Sequence, residues 1–430
     1  MEIGLSIFFI SVVLYTLFAV RIDRVSITMP MIFVALGVLL GPYSFGLFQN
    51  TVEWLNIERF VEITLVLLLF ADASTLSFQQ VREDSLLPVR LLLIGTPLTI
   101  LLGGFVALAL FPGEKLGFAL LLGTILAPTD AALGWPIFSN EKVPLRIRRA
   151  LIVESGLNDG IATPFVTLFT ALAVAESLPT QEPFLVPALL QIAIAIGIAM
   201  FVGLGGGWLF ARAVNRGWTS HLAEQIGGVA LALAAYSTSV TFGGNGFIAA
   251  FVSGLLFGYS TRGHVHAGSE YPETTGTLFS LLVWTIFGAY AVGPVLQAFN
   301  PLMLIFAIFA LTLVRMIPVA VAALGSKLRV DTLLVMGWFG PRGLASVVFT
   351  LIAMESFHEA GRQVELLVGM AVWTILLSVF LHGLTAVPLA NWYAKRLQNT
   401  AEDMPELMDV NDLKIRRRRM TVRDSELIGK

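Results

Sequence analysis

At the centre of an apolar stretch from about residue 150 to residue 175 stands the run Glu154-Ser155-Gly156-Leu157-Asn158-Asp159-Gly160. A stretch of this length can span a bilayer, and the two carboxylates and one amide inside it are costly there. An aspartate at the centre of a membrane helix costs roughly 2.5 to 3.5 kcal/mol on an insertion scale. Chains keep such groups where they bind a cation, relay a proton or pair with an opposite charge. The run therefore predicts a membrane protein and marks its functional segment.

The composition of the whole chain agrees with a membrane protein. Of 430 residues, 56% are hydrophobic and 13% are charged, whereas a soluble domain carries about 25% charged residues. The mean hydropathy is +0.82. A formal net charge of −2 argues against nucleic acid as a partner, and the absence of cysteine excludes disulfides and thiol chemistry. We therefore predict an all-α polytopic membrane protein whose main partner is the lipid bilayer.

Apolar stretches long enough to cross about 30 Å of hydrocarbon occur about thirteen times. We predict transmembrane helices at residues 3–20, 28–48, 59–76, 87–111, 115–136, 147–175, 184–211, 222–241, 245–260, 276–296, 299–324, 331–354 and 365–391. The first stretch lacks the basic flank and the cleavage site of a signal peptide, so we expect it to remain as a helix. The chain becomes charged from about residue 394, which predicts a transmembrane domain at 1–393 and a short cytoplasmic tail at 394–430.

The basic residues of the loops predict the orientation in the membrane. With the N-terminus outside, the inner loops receive Arg21, Arg24, Arg82, Arg90, Lys142, Arg146, Arg148, Arg149, Arg212, Arg216, Arg262, Lys327 and Arg329. The outer loops then hold only Arg59, Lys115 and Arg362. This asymmetry satisfies the positive-inside rule and requires an odd number of spans. We expect an inner (plasma) membrane protein with a cytoplasmic C-terminus, whose basic run from Lys414 to Arg419 is a solvated segment or binds anionic lipid.

Two predicted spans contain helix-breaking residues near their middle. The fifth span carries Leu126-Ala127-Pro128-Thr129-Asp130-Ala131-Ala132-Leu133-Gly134, and the twelfth carries Gly337-Trp338-Phe339-Gly340-Pro341-Arg342-Gly343-Leu344-Ala345-Ser346. Irregular backbone at this depth is tolerated only when it is buried in protein or lines a wet cavity. The two spans run in opposite directions in the predicted topology, as inverted repeats with one discontinuous helix each would. Asp130 and Arg342 would then compensate the opposed half-helix dipoles.

Helical spacing divides the sixth span into two faces. Ser155 and Asp159 are four residues apart and share one face, where their hydroxyl and carboxylate offer hard oxygen ligands to an alkali cation. Glu154 and Asn158 share the adjacent face and suit a fixed, hydrogen-bonded partner. The sequence therefore predicts a binding face and a structural face on one helix.

An arginine is the natural partner for a buried carboxylate, because guanidinium stays charged and binds in bidentate fashion. Arg315 and Arg342 are the arginines well inside the predicted spans. We predict that Arg315 pairs with Glu154, with Arg342 as the alternative partner. Both charges of the pair are then structural, and Asp159 and Asp130 remain free to titrate.

The remaining ionisable residues are weaker candidates. Asp72 lies toward the inner end of the third span, where it is either a further acidic ligand or a snorkelling terminal residue. Glu62 and Glu224 lie closer to span ends and are interpreted as solvated. His264 and His266 occupy a polar inner loop, where histidines can sense pH but are usually inert.

Three motifs carry a family resemblance: Thr129-Asp130, Glu154-Ser155-x-x-Asn158-Asp159 and Trp338-Phe339-Gly340-Pro341-Arg342-Gly343. With them the chain resembles the monovalent cation:proton antiporter-1 family, and within it the NhaP-type sodium/proton antiporters. The likeness covers roughly residues 3–393. It implies thirteen helices, a homodimer, and a moving six-helix bundle in which two unwound helices cross.

The resemblance also implies the members of an ion site. Carried over motif by motif, the monovalent cation would be bound by Thr129, Asp130, Ser155 and Asp159. Asp72 matches a carboxylate that the third helix contributes in some relatives. The arginine of the eleventh helix pairs with the glutamate before the serine in such proteins, which supports pairing of Arg315 with Glu154.

The mechanism follows from competition at one carboxylate. Burial and the neighbouring Asp130 both disfavour ionisation of Asp159, so its site holds a cation or a proton. Asn158 stands where another family branch has a second aspartate, and the resemblance therefore implies electroneutral exchange. We predict a secondary active antiporter that exchanges Na⁺, or alternatively Li⁺ or K⁺, for one proton, and neither an enzyme nor a cofactor protein. The alternatives are a cation channel, a cation-coupled symporter and, fitting the motifs least, an intramembrane aspartyl protease.

Overall fold

The computed structural model describes residues 2–23, 26–48, 54–75, 86–176, 184–261, 267–359, 364–397 and 404–408. Within these ranges the chain forms thirteen helical segments, here called rods, and an unwound stretch interrupts two of them. This confirms the predicted all-α architecture. The rods are α1 (Glu2–Asp23), α2 (Met29–Leu40), α3 (Trp54–Thr75), α4 (Leu86–Leu110), α5a (Leu116–Ile125) with α5b (Ala131–Phe138), α6 (Leu145–Ala175), α7 (Leu185–Asn215), α8 (His221–Thr241), α9 (Gly246–Thr261), α10 (Ala267–Ile286, continued by Phe287–Val292 and Gly293–Gln297), α11 (Pro301–Ala322), α12a (Val330–Trp338) with α12b (Leu344–Glu359), and α13 (Glu365–Leu397). A single 3₁₀ turn, Pro405–Leu407, follows among the described residues.

Several rod ends differ from the predicted ones for local reasons. α2 ends at Leu40 rather than at residue 48, because the chain turns at Gly41 and then passes through Gly46 at a φ of +64°. α10 begins at Ala267 rather than at residue 276, since acidic residues are tolerated in its first turns. α13 continues to Leu397, beyond the predicted span end at residue 391.

Glycines bring α9 and α3 into close contact. A Cβ atom added to Gly254 would lie 2.5 Å from the carbonyl oxygen of Phe70, and one added to Gly258 would lie 2.4 Å from that of Ser74. The two backbones can approach this closely only without side chains at these positions. Asp72 lies between these two contacts, on the part of α3 that packs tightly against α9.

Some predicted features lie outside the described residues. They are His264, His266, Arg24, Arg82, Arg262, Arg362 and the basic run from Lys414 to Arg419. Arg149, which the sequence assigned to an inner loop, lies within α6 and is buried.

The tail segment around Glu406 packs on the ends of two rods. The buried Glu406 carboxylate accepts hydrogen bonds from the backbone N–H of Arg329 at 2.8 Å and from the hydroxyl of Thr332 at 2.9 Å. Arg146 of α6 donates to the carbonyl of Pro405 at 2.6 Å. This segment therefore caps the N-terminal end of α12a and joins it to α6, where the sequence predicted only a charged tail.

Glu406→Ala is expected to loosen the beginning of α12a. The variant removes the acceptor for the backbone N–H of Arg329, the residue just before the helix, and for the hydroxyl of Thr332. The loss of a helix cap costs about 1 kcal/mol. Amides at residues 329–333 should exchange hydrogen several-fold faster, as measured by mass spectrometry. Glu406→Gln keeps an acceptor oxygen and is the matched control. Equal protection in Glu406→Ala and the wild type would contradict the capping role.

Candidate cation site at the helix crossing

The two predicted breaks lie directly against each other. The backbone N–H of Asp130, in the gap between α5a and α5b, donates to the carbonyl of Pro341, in the gap between α12a and α12b, at 2.8 Å. Proline lacks a backbone donor, so Pro128 and Pro341 prevent either helix from continuing. The two unwound segments therefore cross and supply each other with hydrogen bonds, as the predicted fold requires.

Asp130 caps both half-helices that start at the crossing. Its Oδ1 accepts from the N–H of Ala132 in α5b at 2.7 Å, and its Oδ2 accepts from the N–H of Leu344 in α12b at 3.2 Å. A carboxylate is favoured at the positive N-terminal end of a helix. A Cβ atom at Gly343 would lie 2.0 Å from Oδ2, so glycine is needed for this approach. One carboxylate thus binds the positive ends of two helices.

Arg342 supplies the opposite charge at the crossing. Its guanidinium is fully buried and donates through Nη1 to the carbonyls of Ala127 at 3.0 Å and Pro128 at 3.4 Å, just beyond the C-terminal end of α5a. Its backbone N–H donates to the hydroxyl of Ser378 in α13 at 2.6 Å. A cation at the negative end of a half-helix is the arrangement that the dipole argument predicts.

Glu154 forms a bidentate ion pair with Arg315. Nη1 and Nη2 of Arg315 donate to the two carboxylate oxygens at 2.5 and 2.8 Å, and both side chains are almost completely buried. A Cβ atom at Gly340 would lie 2.2 Å from Nε of Arg315, so the glycine of the α12 break makes room for the guanidinium. The structure therefore pairs Arg315, and not Arg342, with Glu154.

Ser155 and Asn158 of α6 both contact Thr129 in the α5 break. The hydroxyl of Ser155 donates to the carbonyl of Thr129 at 2.8 Å, and the amide of Asn158 donates to the hydroxyl of Thr129 at 2.6 Å. All three side chains are buried. The fixed partner of Asn158 is therefore a threonine, and Thr129 joins the two faces of α6 that the sequence distinguished.

Asp159 lies beside this network without joining it. Its side chain is half-buried, and its buried Oδ1 has no hydrogen-bond partner among the described residues. Asp72 on α3 and Asp130 at the α5 break belong to rods that pack against α6. The Asp72 side chain is exposed, whereas that of Asp130 is half-buried. In the described part of the chain, the Asp159 carboxylate therefore has no group that compensates its charge.

Sequence reasoning missed the polar side chains of α13 that reach the crossing. Besides Ser378, the buried His382 places its Nε2 2.8 Å from the carbonyl of Trp338, the last residue of α12a. A signal for them exists, because Ser378 and His382 are polar, four residues apart and inside an apolar span, as the polar residues of α6 are.

A helical bundle in which two unwound segments cross beside a carboxylate is the architecture of a secondary transporter. The chain matches the model of the transmembrane sodium/hydrogen exchanger family over residues 8–392, and it belongs to that family. The family consists of cation/proton antiporters and not of enzymes.

Curated relatives carry the names of both sodium and potassium antiporters. The chain is 29% identical over 248 residues to the K(+)/H(+) antiporter NhaP2 of Shewanella sp. (strain ANA-3), which covers 56% of this chain and 41% of the relative. It is 27% identical over 340 residues to the Na(+)/H(+) antiporter ApNhaP of Aphanothece halophytica, which covers 75% of this chain and 63% of the relative. The matches thus span between 41% and 63% of the length of these relatives.

The fold is shared with a solved antiporter. The sodium proton antiporter MjNhaP1 from Methanocaldococcus jannaschii superposes with a TM-score of 0.72 at 21% identity, covering 91% of this chain and 99% of that chain. At this identity the likeness concerns the fold alone.

Proposed function

We propose that the protein exchanges a monovalent cation for a proton by alternating access, with both ions competing at Asp159. One observation carries this proposal. Both oxygens of Glu154 bind Arg315, and both oxygens of Asp130 accept backbone N–H groups, whereas Asp159 has no such partner among the described residues. A partly buried carboxylate without a partner is stabilised by protonation or by a bound cation.

The proposed cation ligands are the oxygens that surround Asp159. The Ser155 hydroxyl donates a hydrogen bond to the Thr129 carbonyl, and its oxygen keeps lone pairs that can bind a cation. The carbonyl of Thr129 and the carboxylate of Asp130 complete a set of hard oxygen ligands suited to an alkali cation. Asp72 is proposed as a further ligand, because its exposed side chain lies on α3, which packs against α6.

The proposed stoichiometry is one cation for one proton. The amide of Asn158 is held by Thr129 and cannot carry a second proton, so Asp159 remains the exchanging group. We propose sodium as the preferred cation, with lithium and potassium as competitors, since relatives bear both names. The family resemblance supports a homodimer in the inner membrane, and the loop charges support an outer N-terminus and a cytoplasmic C-terminus.

Proteoliposomes with an internal pH dye test the proposal. Adding the cation outside should make the interior alkaline, and loading it inside and then diluting should make the interior acidic. For sodium and lithium, a potassium/valinomycin voltage clamp should leave both responses unchanged. Acidification on external addition would indicate symport instead, and the absence of any pH response would overturn exchange.

Proton competition predicts a specific pH dependence. Lowering the pH on the cation-loading side protonates Asp159, so the apparent KM for the cation should rise with falling pH. For one proton against one cation the rise approaches about tenfold per pH unit. The maximal rate at saturating cation should change little. Initial rates across a cation series, repeated at pH steps of about one unit, measure both quantities. A KM that is independent of pH would contradict competition at one carboxylate.

A further inference from the structure

Three polar side chains form a stripe on one face of α13. Ser378, His382 and Thr385 follow one another at helical spacing, and each contacts α12. Ser378 accepts the backbone N–H of Arg342 at 2.6 Å, and Thr385 accepts the indole N–H of Trp338 at 2.9 Å. The His382 ring stacks on the Trp338 ring with centroids 4.9 Å apart. The stripe therefore holds α12 on both sides of its break.

The hydrogen bonds of His382 and Ser378 form a series that links Trp338 to Arg342. The carbonyl of Trp338 can only accept, so Nε2 of His382, at 2.8 Å, carries a proton. Nδ1 lies between the hydroxyl of Ser378, at 3.2 Å, and the carbonyl of Ser378, at 2.9 Å. The same hydroxyl oxygen accepts the N–H of Arg342. Both ring nitrogens of His382 therefore have partners, Nε2 on α12a and Nδ1 on α13 itself.

This series of hydrogen bonds fixes the unwound segment of α12, and that segment in turn positions the α5 break. Trp338 ends α12a, and Arg342 stands just before α12b, so α13 holds the two ends of the unwound α12 segment. Within that segment the carbonyl of Pro341 binds the N–H of Asp130, and the guanidinium of Arg342 binds the carbonyl of Pro128. A displacement of the α12 segment would therefore move the residue between Pro128 and Asp130.

The residue between Pro128 and Asp130 is Thr129, a proposed cation ligand. We propose that Ser378 and His382 are positioning residues that set the cation affinity and selectivity of the site without touching the cation. The inference rests on the proposed function, because it concerns the same ion site. Selectivity among cations with the same ligand chemistry depends on cavity size and ligand placement, and the stripe on α13 determines that placement through α12.

Ser378→Ala tests the inference against a matched control on the same helix. The control is Thr374→Ala, since in the described part of the chain the buried Thr374 hydroxyl donates within α13, to Met370 at 2.7 Å, and has no partner on α12. In proteoliposomes, Ser378→Ala should raise the apparent cation KM by about threefold to tenfold, the effect of one lost hydrogen bond. It should also change the ratio of the KM values for sodium, lithium and potassium. Ser378→Thr keeps a hydroxyl at this position and should keep both quantities at their wild-type values. Thr374→Ala should alter neither.

Hydrogen exchange of residues 339–346 provides a readout that needs no transport. Exchange should be faster in Ser378→Ala and His382→Leu than in the wild type, and unchanged in Thr374→Ala. Unchanged exchange in all variants would overturn the hold of α13 on α12. Faster exchange with unaltered KM ratios would overturn the positioning role while leaving the proposed function intact. A wild type that exchanges no cation would overturn the proposed function, and the positioning role with it.

Discussion

Asp159→Asn is expected to reduce cation-dependent proton movement to the level of empty liposomes. Asparagine has nearly the same shape, but it carries no charge to attract a cation and cannot take up or release the proton. Among the described residues no arginine or backbone donor depends on the Asp159 carboxylate, so its removal strands no partner. The variant should therefore fold and unfold thermally like the wild type.

Asp130→Asn provides a comparison in which stability should change together with transport. Asp130 holds Ala132 and Leu344 at the starts of two half-helices, and an amide keeps only one of the two acceptor oxygens. Asp130→Asn should therefore lower the unfolding temperature as well as the transport rate, because a helix cap contributes about 1 kcal/mol. The internal pH dye reports exchange, and thermal unfolding in detergent reports stability. Exchange that persists in Asp159→Asn would remove Asp159 as the carrier.

The number of spans could be predicted from sequence because membrane insertion depends on local composition. Long apolar runs must be helical in hydrocarbon, since their backbone groups have no other partners. Rod ends are less predictable, because local features decide them. The turn at Gly41 shortened α2, and Glu270 and Glu273 did not prevent the early start of α10. The proline and glycine residues near mid-span were sufficient to predict both breaks.

The members of the site were easier to predict than their contacts. Charged residues inside apolar spans are few and costly, so Glu154, Asp159 and Arg315 stand out in the sequence. Their partners lie on other helices, and spacing along one helix says nothing about them. The double cap made by Asp130 needs both breaks in one place. Neutral residues such as Ser378 stand out less in the sequence. A hydroxyl inside a membrane helix costs little free energy, because it can donate a hydrogen bond to a backbone carbonyl of its own helix.

Glu154→Gln is expected to destabilise the protein strongly. The amide keeps one acceptor for Arg315 but removes the charge that compensates a guanidinium almost completely shielded from solvent. Breaking one partner of a buried ion pair costs about 3 to 5 kcal/mol, because the other charge stays behind. Arg315 is enclosed next to Gly340 and has no other carboxylate within ion-pair distance in the described part of the chain. The unfolding temperature should fall clearly below that of Asp159→Asn.

The double variant Glu154→Gln with Arg315→Met separates charge from packing. Removing both charges leaves no stranded ion, so most of the lost stability should return. If both residues are structural, the double variant should also regain proton exchange that still depends on Asp159. An unfolding temperature of Glu154→Gln equal to that of the wild type would contradict the pairing. The two carboxylates stand five residues apart on α6, yet one should govern stability and the other transport. The difference arises because Arg315 binds the first, whereas no described group binds the second.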